Sequence, residues 1–424
     1  MKSQITYSLI ILALAVSQCG QSGKVKPIQN GVDLKTRDLN VRVQFYADDI
    51  ARVMKWRPES SAEKLSLMVI RDSLPDLSIS VEENGDDVIL KSERMTIRLV
   101  KKDGQLEYFT TSGTSILKEN KKAVFTPVTL PYEKAFNIQQ NFKLTPDEGL
   151  YGLGQHQDGY MNYRGRTVKL VQTNTDAVTP FLISTRGWGI LWDNYSKTIF
   201  QDTAETMSLW SEVGDNLDYY LIYGGTMDSV ISGYRYLTGK APLYGKWAYG
   251  YWQSKEHYKN RAELLSVVSE YRRRRIPIDN IIQDWNYWDG NENWSQMFFD
   301  PKKYPEPEEM IRQIHNQNFH IMISIWPGLG PNTAIYQEME QNGFLYNTVG
   351  WANFKYFDAF NPAANDLYWK YVKKGLISVG IDALWIDSTE PDIVNATTKE
   401  SQEYEMKKVG RNYLGSWARY LNAY

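Results

Sequence analysis

From residue 247 onward the chain alternates a short apolar run with a helical pattern, four times over, and this repeat constrains the fold more than any other feature. The apolar runs fall at residues 247–252, 278–283, 319–325 and 382–386. Helical spacing follows at about 261–275, 307–318 and 363–378, and a final helix is expected to run into the last residue. Strand and helix repeated in this way imply parallel strands joined by crossover helices. A (β/α)8 barrel fits best, but only its first half. The stretch from Trp247 to Tyr424 is well short of the about 250 residues that a closed barrel takes. An open half-barrel would expose its last strand and the apolar side chains meant for the other half, so the sequence is expected to be the front part of a longer protein.

Upstream the texture is different. Residues 41–46, 95–100 and 181–194 have period-two or β-rich character, broken by turn chemistry such as ENGDD and KKDG. The expectation is a multidomain chain: a β-sandwich over residues 41–240, then a partial barrel over 241–424.

The N-terminus carries Lys2 and an apolar run at residues 7–16, too short to span a bilayer as a mature helix and suited to a secretory signal. The single cysteine, Cys19, follows at once in AVSQCG. Two readings stay open: lipid attachment at a bacterial lipoprotein box, or an incidental residue in a cleaved peptide. The first implies an exported protein, periplasmic or on the outer membrane, held only by its lipid. Residues 1–19 are thus expected as the signal and 20–40 as a tether.

A net charge of −2 gives no electrostatic reason for a nucleic-acid partner. Four histidines without helix-spaced pairing argue against a metal hydrolase, and no cofactor motif is evident. GLGQHQDG (152–159) lacks the third glycine of a dinucleotide loop. YRRRRIP (271–277) closes a helix, where cations suit the dipole. The 14 Trp and 29 Tyr stand out instead, because flat apolar faces with a polar edge pack well on sugar rings.

Chemistry in a barrel of this kind sits at the C-terminal ends of the strands. Those ends fall at Trp252-Gln253, Asp284-Trp285, Trp326-Pro327 and Asp387. Side-chain alternation puts Ala383, Trp385 and Asp387 on one face, with Leu384 and Ile386 on the other, under helices. Asp382, at the opposite end of that strand, reads as a cap or turn residue. Glu390 and Asp392 lie beyond it, where Pro391 fixes a turn. A carboxylate ringed by tryptophans can attack or stabilise an oxocarbenium-like centre. A helix N-cap is the plainer role for a lone Asp387, weakened by the presence of the other strand ends.

These segments match a family. WIDSTEPD (385–392) resembles the nucleophile motif of glycoside hydrolase family 31, which implies that Asp387 forms the covalent glycosyl-enzyme. IIQDWNYW (281–288) is similar to the second-strand segment whose aspartate binds sugar hydroxyls, here Asp284. ISIWP (323–327) resembles the segment that supplies a subsite tryptophan, here Trp326. YGLGQHQDG (151–159) and LVQTNTDAVTPFLIS (170–184) resemble the N-terminal sandwich that lends a loop to the site.

The resemblance runs from about Val41 to the end and leans toward the bacterial α-xylosidase branch, with α-glucosidase as the alternative. It implies a retaining exo-acting enzyme that releases non-reducing-end α-xylose from xyloglucan-type oligosaccharides, without cofactor or metal. The family's acid/base lies on a later strand, so this chain alone is expected to be inactive. Glu400, Glu403 and Glu405 fall at the start of a helix and read as solvated charge. The candidate substrate-binding residues are Asp284, Trp326, Trp285, Trp252, Trp385 and His156. The rival from another class is a non-catalytic glycan-binding lipoprotein.

Overall fold

A computed structural model describes residues 23–60, 66–71, 73–129, 134–171, 176–203, 206–359 and 361–388. The apolar N-terminal run, Cys19, Glu390, Asp392 and the final helix lie outside them.

The N-terminal region is two antiparallel sheets packed face to face. One has eight strands in the order Lys24–Ile28, Gly31–Lys35, Asn40–Ala47, Ile50–Trp56, Asn216–Tyr223, Trp188–Trp192, Ala177–Ser184 and Leu150–Gln155. The other has ten, among them Asp87–Lys91, Met95–Val100, Leu106–Thr110, Ser115–Glu119, Lys134–Lys143 and Thr206–Gly214. Alternation explains the layering: in Met95–Val100 the residues Met95, Ile97 and Leu99 are fully buried while those between face outward. They meet Val32, Leu34, Val41 and Val43 of the opposite sheet in one core.

The two sheets are also joined by a buried polar network. Lys55 Nζ, from the eight-stranded sheet, donates to Glu119 Oε1 and Oε2 at 2.7 and 2.5 Å and to Gln140 Oε1 at 3.1 Å. The Tyr219 hydroxyl donates to Glu119 Oε1 at 2.7 Å, the Leu106 N–H donates to Oε2 at 2.9 Å, and Tyr108 lies 2.6 Å from the Tyr219 oxygen. Each buried donor and acceptor at its centre is satisfied, the condition under which such a network specifies one register.

Within the tether expected over residues 20–40, residues 24–35 are not a linker. Lys24–Ile28 and Gly31–Lys35 pair as a hairpin that starts the eight-stranded sheet. The turn between them holds Asn30 at φ 56°. Gly31 pairs with Ile28 just past the Gln29-Asn30 loop, and a side chain on it would strike the Val43 carbonyl.

Helix Met227–Thr238 closes the sandwich, and the strand–helix region follows. Four parallel strands lie side by side in chain order: Trp252–Gln253, Asn280–Gln283, His320–Ile325 and Ala383–Ile386. Helices Arg261–Arg273, Pro307–His315 and Pro362–Gly375 occupy the crossovers. Asn260 and Asn361 cap the first and last of these by accepting from Glu263 and Ala363 N–H groups. This is the expected half-barrel architecture.

Three features depart from the sequence reading. The first strand is shorter and later than residues 247–252, because Lys246–Tyr249 forms a 3-10 turn between Gly245 and Gly250. The long loop after the third strand contains helix Ala334–Gln341 and a small antiparallel sheet of Gly328–Leu329, Leu345–Val349 and Lys355–Phe357. Ile386, expected under a helix, is 62% exposed, since no described element covers the outer face at this edge strand. Sandwich and barrel share a core through Ala135 and Val213, which pack with Tyr258, Ile281, Ile323 and Trp294.

Candidate active site

The site is set by register. Ile323 of the third strand is level with Gln283 on one side and Leu384 on the other, so Asp284, Ser324 and Trp385 lie one step beyond on neighbouring strands. Asp387 follows two residues after Trp385, on the same strand face. Its N–H donates to the Ile325 carbonyl at 3.0 Å, which continues the ladder to the mouth.

The two carboxylates are held alike. Asp284 Oδ1 accepts from the N–H of Trp285 at 2.7 Å, and Asp387 Oδ1 accepts from the N–H of Ser388 at 2.8 Å. Both lie above the ordinary carboxylate range. Burial is the main cause for Asp284, opposed by the Trp285 N–H and by the Ser324 hydroxyl, while the charge of Asp387 pushes it up further. Burial raises Asp387 too, opposed by the Ser388 N–H. The charge of Asp387 is felt at Asp284, and strand register sets both acids at one mouth. Two half-buried carboxylates at one mouth are what a site needs to hold and attack an electron-poor centre.

Ser324, fully buried, joins the acids to the aromatic wall: its hydroxyl serves Asp284 and accepts from Trp326 Nε1 at 3.1 Å. The wall is built around Trp294, which is also fully buried. Trp285 stacks on it at 5.4 Å, while Trp326 and Trp351 meet it edge-on at 5.0 and 5.1 Å. Trp351 and Trp385 are 47% and 41% exposed, so their faces are open to a ligand. His257 meets Trp285 edge-on at 5.3 Å and acts electrostatically on Asp284.

Asp284, Trp285, Trp326, Trp385 and Asp387 are therefore brought together, and two other candidates are not. Trp252 pairs with Asn280, which pairs with His320, at the N-terminal ends of the strands. Its indole donates to the Ala248 carbonyl at 3.1 Å and packs near Trp247, which stacks on His320. The late start of the first strand carries the chain on to His257 at the mouth. His156 is enclosed within the sandwich: Nε2 lies 2.9 Å from the Leu153 carbonyl and Nδ1 lies 3.4 Å from Asp176, both side chains being buried. Neither ring nitrogen is available to a sugar at the mouth.

Asp382 sits at the far end of its strand, where Oδ2 accepts from the Ile321 N–H and contacts His315 Nε2, each at 2.8 Å. Arg272 of the basic run donates to the Ile278, Gln317 and Asn318 carbonyls, and Arg273 and Arg274 pair with Glu270.

Ser324, His257 and Trp294 were missed by sequence reasoning. Alternation through ISIWP places Ser324 on the face of Trp326, a sufficient signal for that residue. His257 required the true start of the first strand, and Trp294 is one tryptophan in a loop rich in them.

Residues 241–424 match the model of the glycosyl hydrolases family 31 TIM-barrel domain, and residues 40–201 match the glycosyl hydrolase 31 N-terminal galactose mutarotase-like domain. An α-xylosidase of Saccharolobus solfataricus is 38% identical over 409 residues, covering 92% of this chain and 53% of that protein. Alpha-glucosidase 2 of Bacillus thermoamyloliquefaciens is 26% identical, covering 84% of this chain and 47% of its own length. Among solved structures, the family 31 α-xylosidase of Xanthomonas citri superposes with a TM-score of 0.86 at 26% identity, covering 94% of this chain and 61% of that one. The chain thus spans about half the length of the curated relatives it matches. Two matches to one family, in the order sandwich then barrel, carry the conclusion that this chain belongs to glycoside hydrolase family 31.

Proposed function

We propose that this chain provides the sugar-gripping and nucleophilic part of a retaining, exo-acting α-xylosidase acting on xyloglucan-type oligosaccharides. The observation that carries the reading is the pair Asp284 and Asp387, half-buried at one mouth and each influenced by its surroundings as a working carboxylate would be. Asp387 Oδ2, free of the Ser388 bond, attacks the anomeric carbon. The glycosidic C–O bond breaks, a carboxylic acid protonates the leaving oxygen, and water then cleaves the ester. We assign that proton to a carboxyl outside the described residues. Asp284 holds ring hydroxyls, a bond useful to catalysis only to the extent that it tightens as the ring distorts. The tryptophan faces take the apolar side of the sugar.

The lean toward xylose rests on QDWNYW and DSTEPD and on the two α-xylosidases similar to this chain. Glucose is the alternative, since an α-glucosidase is also similar. Matched α-xylosyl and α-glucosyl substrates, given to the product of the complete reading frame, separate them by which sugar is released. Asp387→Asn should lower turnover by about 10³-fold or more. Binding without release of either sugar would favour the non-catalytic lipoprotein. Export with lipid attachment at Cys19 belongs to the same proposal, and Cys19→Ala should free the protein from membranes.

A further inference from the structure

Ser388, the residue after Asp387, has φ 54°. A residue with a side chain keeps this left-handed conformation only where its surroundings over-determine it. Ser388 is 4% exposed, and its hydroxyl lies 3.0 Å from the hydroxyl of Tyr356. Tyr356 is itself buried, at the middle of strand Lys355–Phe357, with its ring edge-on to Phe354 at 5.2 Å. That strand is the centre of the small sheet inserted after the third barrel strand. The contact therefore ties the insertion to the residue following the reactive acid, across 32 positions of sequence.

The consequence lies in the backbone. With Ser388 in this turn, its N–H points at Asp387 Oδ1 at 2.8 Å, while the N–H of Asp387 is held by Ile325. Among the described residues the carboxylate is thus anchored through one oxygen, and the other is left for the sugar. We propose that Tyr356 and Ser388 form a lock that positions the Asp387 carboxylate, the hydroxyl pair holding the left-handed turn and the turn holding Oδ1. The inference rests on the reading of Asp387 as nucleophile. Neither residue is catalytic; both are positioning residues. Among the described residues, the other titratable groups at the mouth are Asp284 and, beside it, His257.

The test uses the product of the complete reading frame with Tyr356→Phe, Ser388→Ala, their combination, Ser388→Gly and, as control, Asp387→Asn. Tyr356→Phe should lower kcat by about ten- to a hundredfold, the scale of a misplaced reacting group, with KM little changed. Ser388→Ala should lose as much, and the double variant no more than either alone, because both break one link. Ser388→Gly should lose less than Ser388→Ala, since glycine adopts this turn without strain. The acid limb of kcat/KM should move to higher pH in Tyr356→Phe, because a loosened N–H no longer favours the ionised carboxylate.

Unchanged kcat in Tyr356→Phe, additive losses, or a loss shared by KM with the acid limb unmoved would overturn the lock. If Tyr356→Phe does not fold, the order of Ser388→Gly and Ser388→Ala decides. An active Asp387→Asn would remove the nucleophile reading itself. An inactive Asp387→Asn beside a fully active Tyr356→Phe would remove the lock alone.

Discussion

Lys55→Met would isolate a fully buried carboxylate in the sandwich, Glu119. Glu119 and Lys55 are both fully buried, and burial pushes the Glu119 carboxyl up and the Lys55 ammonium down, opposed in each case by the partner's attraction. Without Lys55 the desolvation of Glu119 loses its main compensation, and Gln140 Oε1 loses its donor. Breaking a buried pair from one side costs about 3–5 kcal/mol near neutral pH, a large part of the roughly 5–15 kcal/mol that stabilises a domain.

The sign of the pH dependence follows. A carboxyl whose folded pKa lies above its unfolded value contributes most below the unfolded value, and that contribution is lost as pH rises through the folded value. The deficit of Lys55→Met should accordingly be large at neutral pH and shrink toward acid. Urea midpoints across a pH series, read from tryptophan fluorescence, measure it; Trp192, buried and stacked on Tyr219 at 6.4 Å, reports on this region. Adding Glu119→Gln should recover part of the loss by removing the stranded charge, although the single amide oxygen can accept from Tyr219 or from the Leu106 N–H and not from both. A deficit below about 1 kcal/mol at neutral pH, or one that grows toward acid, would refute the reasoning.

Three further outcomes are expected. Asp284→Asn should lower kcat/KM by about 10²–10³, the scale of one lost charge-assisted contact in the transition state, as steady-state kinetics with an α-xylosyl substrate would show. His156→Gln should lower the melting temperature by disturbing its contacts with Leu153 and Asp176 while leaving KM unchanged; a shifted KM would bring His156 back to the sugar site. Because burial holds Asp387 above the ordinary carboxylate range, ionising it opposes folding as pH rises. Thermal melts should therefore show Asp387→Asn at least as stable as the parent near neutral pH, with the difference narrowing toward acid.

Much of this architecture was legible because side-chain periodicity survives into the fold. Met95–Val100 is a strand whose buried residues are those that alternation names, and Asp387 is level with the mouth because it continues the face of Trp385. Legibility failed where an apolar run had no fixed period. Residues 247–252 read as a strand, yet Gly245 and Gly250 bracket a 3-10 turn, and that error placed Trp252 at the wrong end and hid His257. Lys24–Lys35 read as a tether because charges and Pro27 masked two short strands joined by the Gln29-Asn30 loop. The Tyr356–Ser388 and Lys55–Glu119 contacts had no local signature, since their partners meet only when distant segments pack.

The central claim is that Asp387 is the atom source for a covalent bond to the sugar. Trapping the product of the complete reading frame with 5-fluoro-α-xylosyl fluoride, followed by peptide mapping, tests it most directly. The account predicts a single glycosyl ester on Asp387 that is lost in Asp387→Asn. An adduct on any other residue, or a labelled Asp387→Asn, would contradict it.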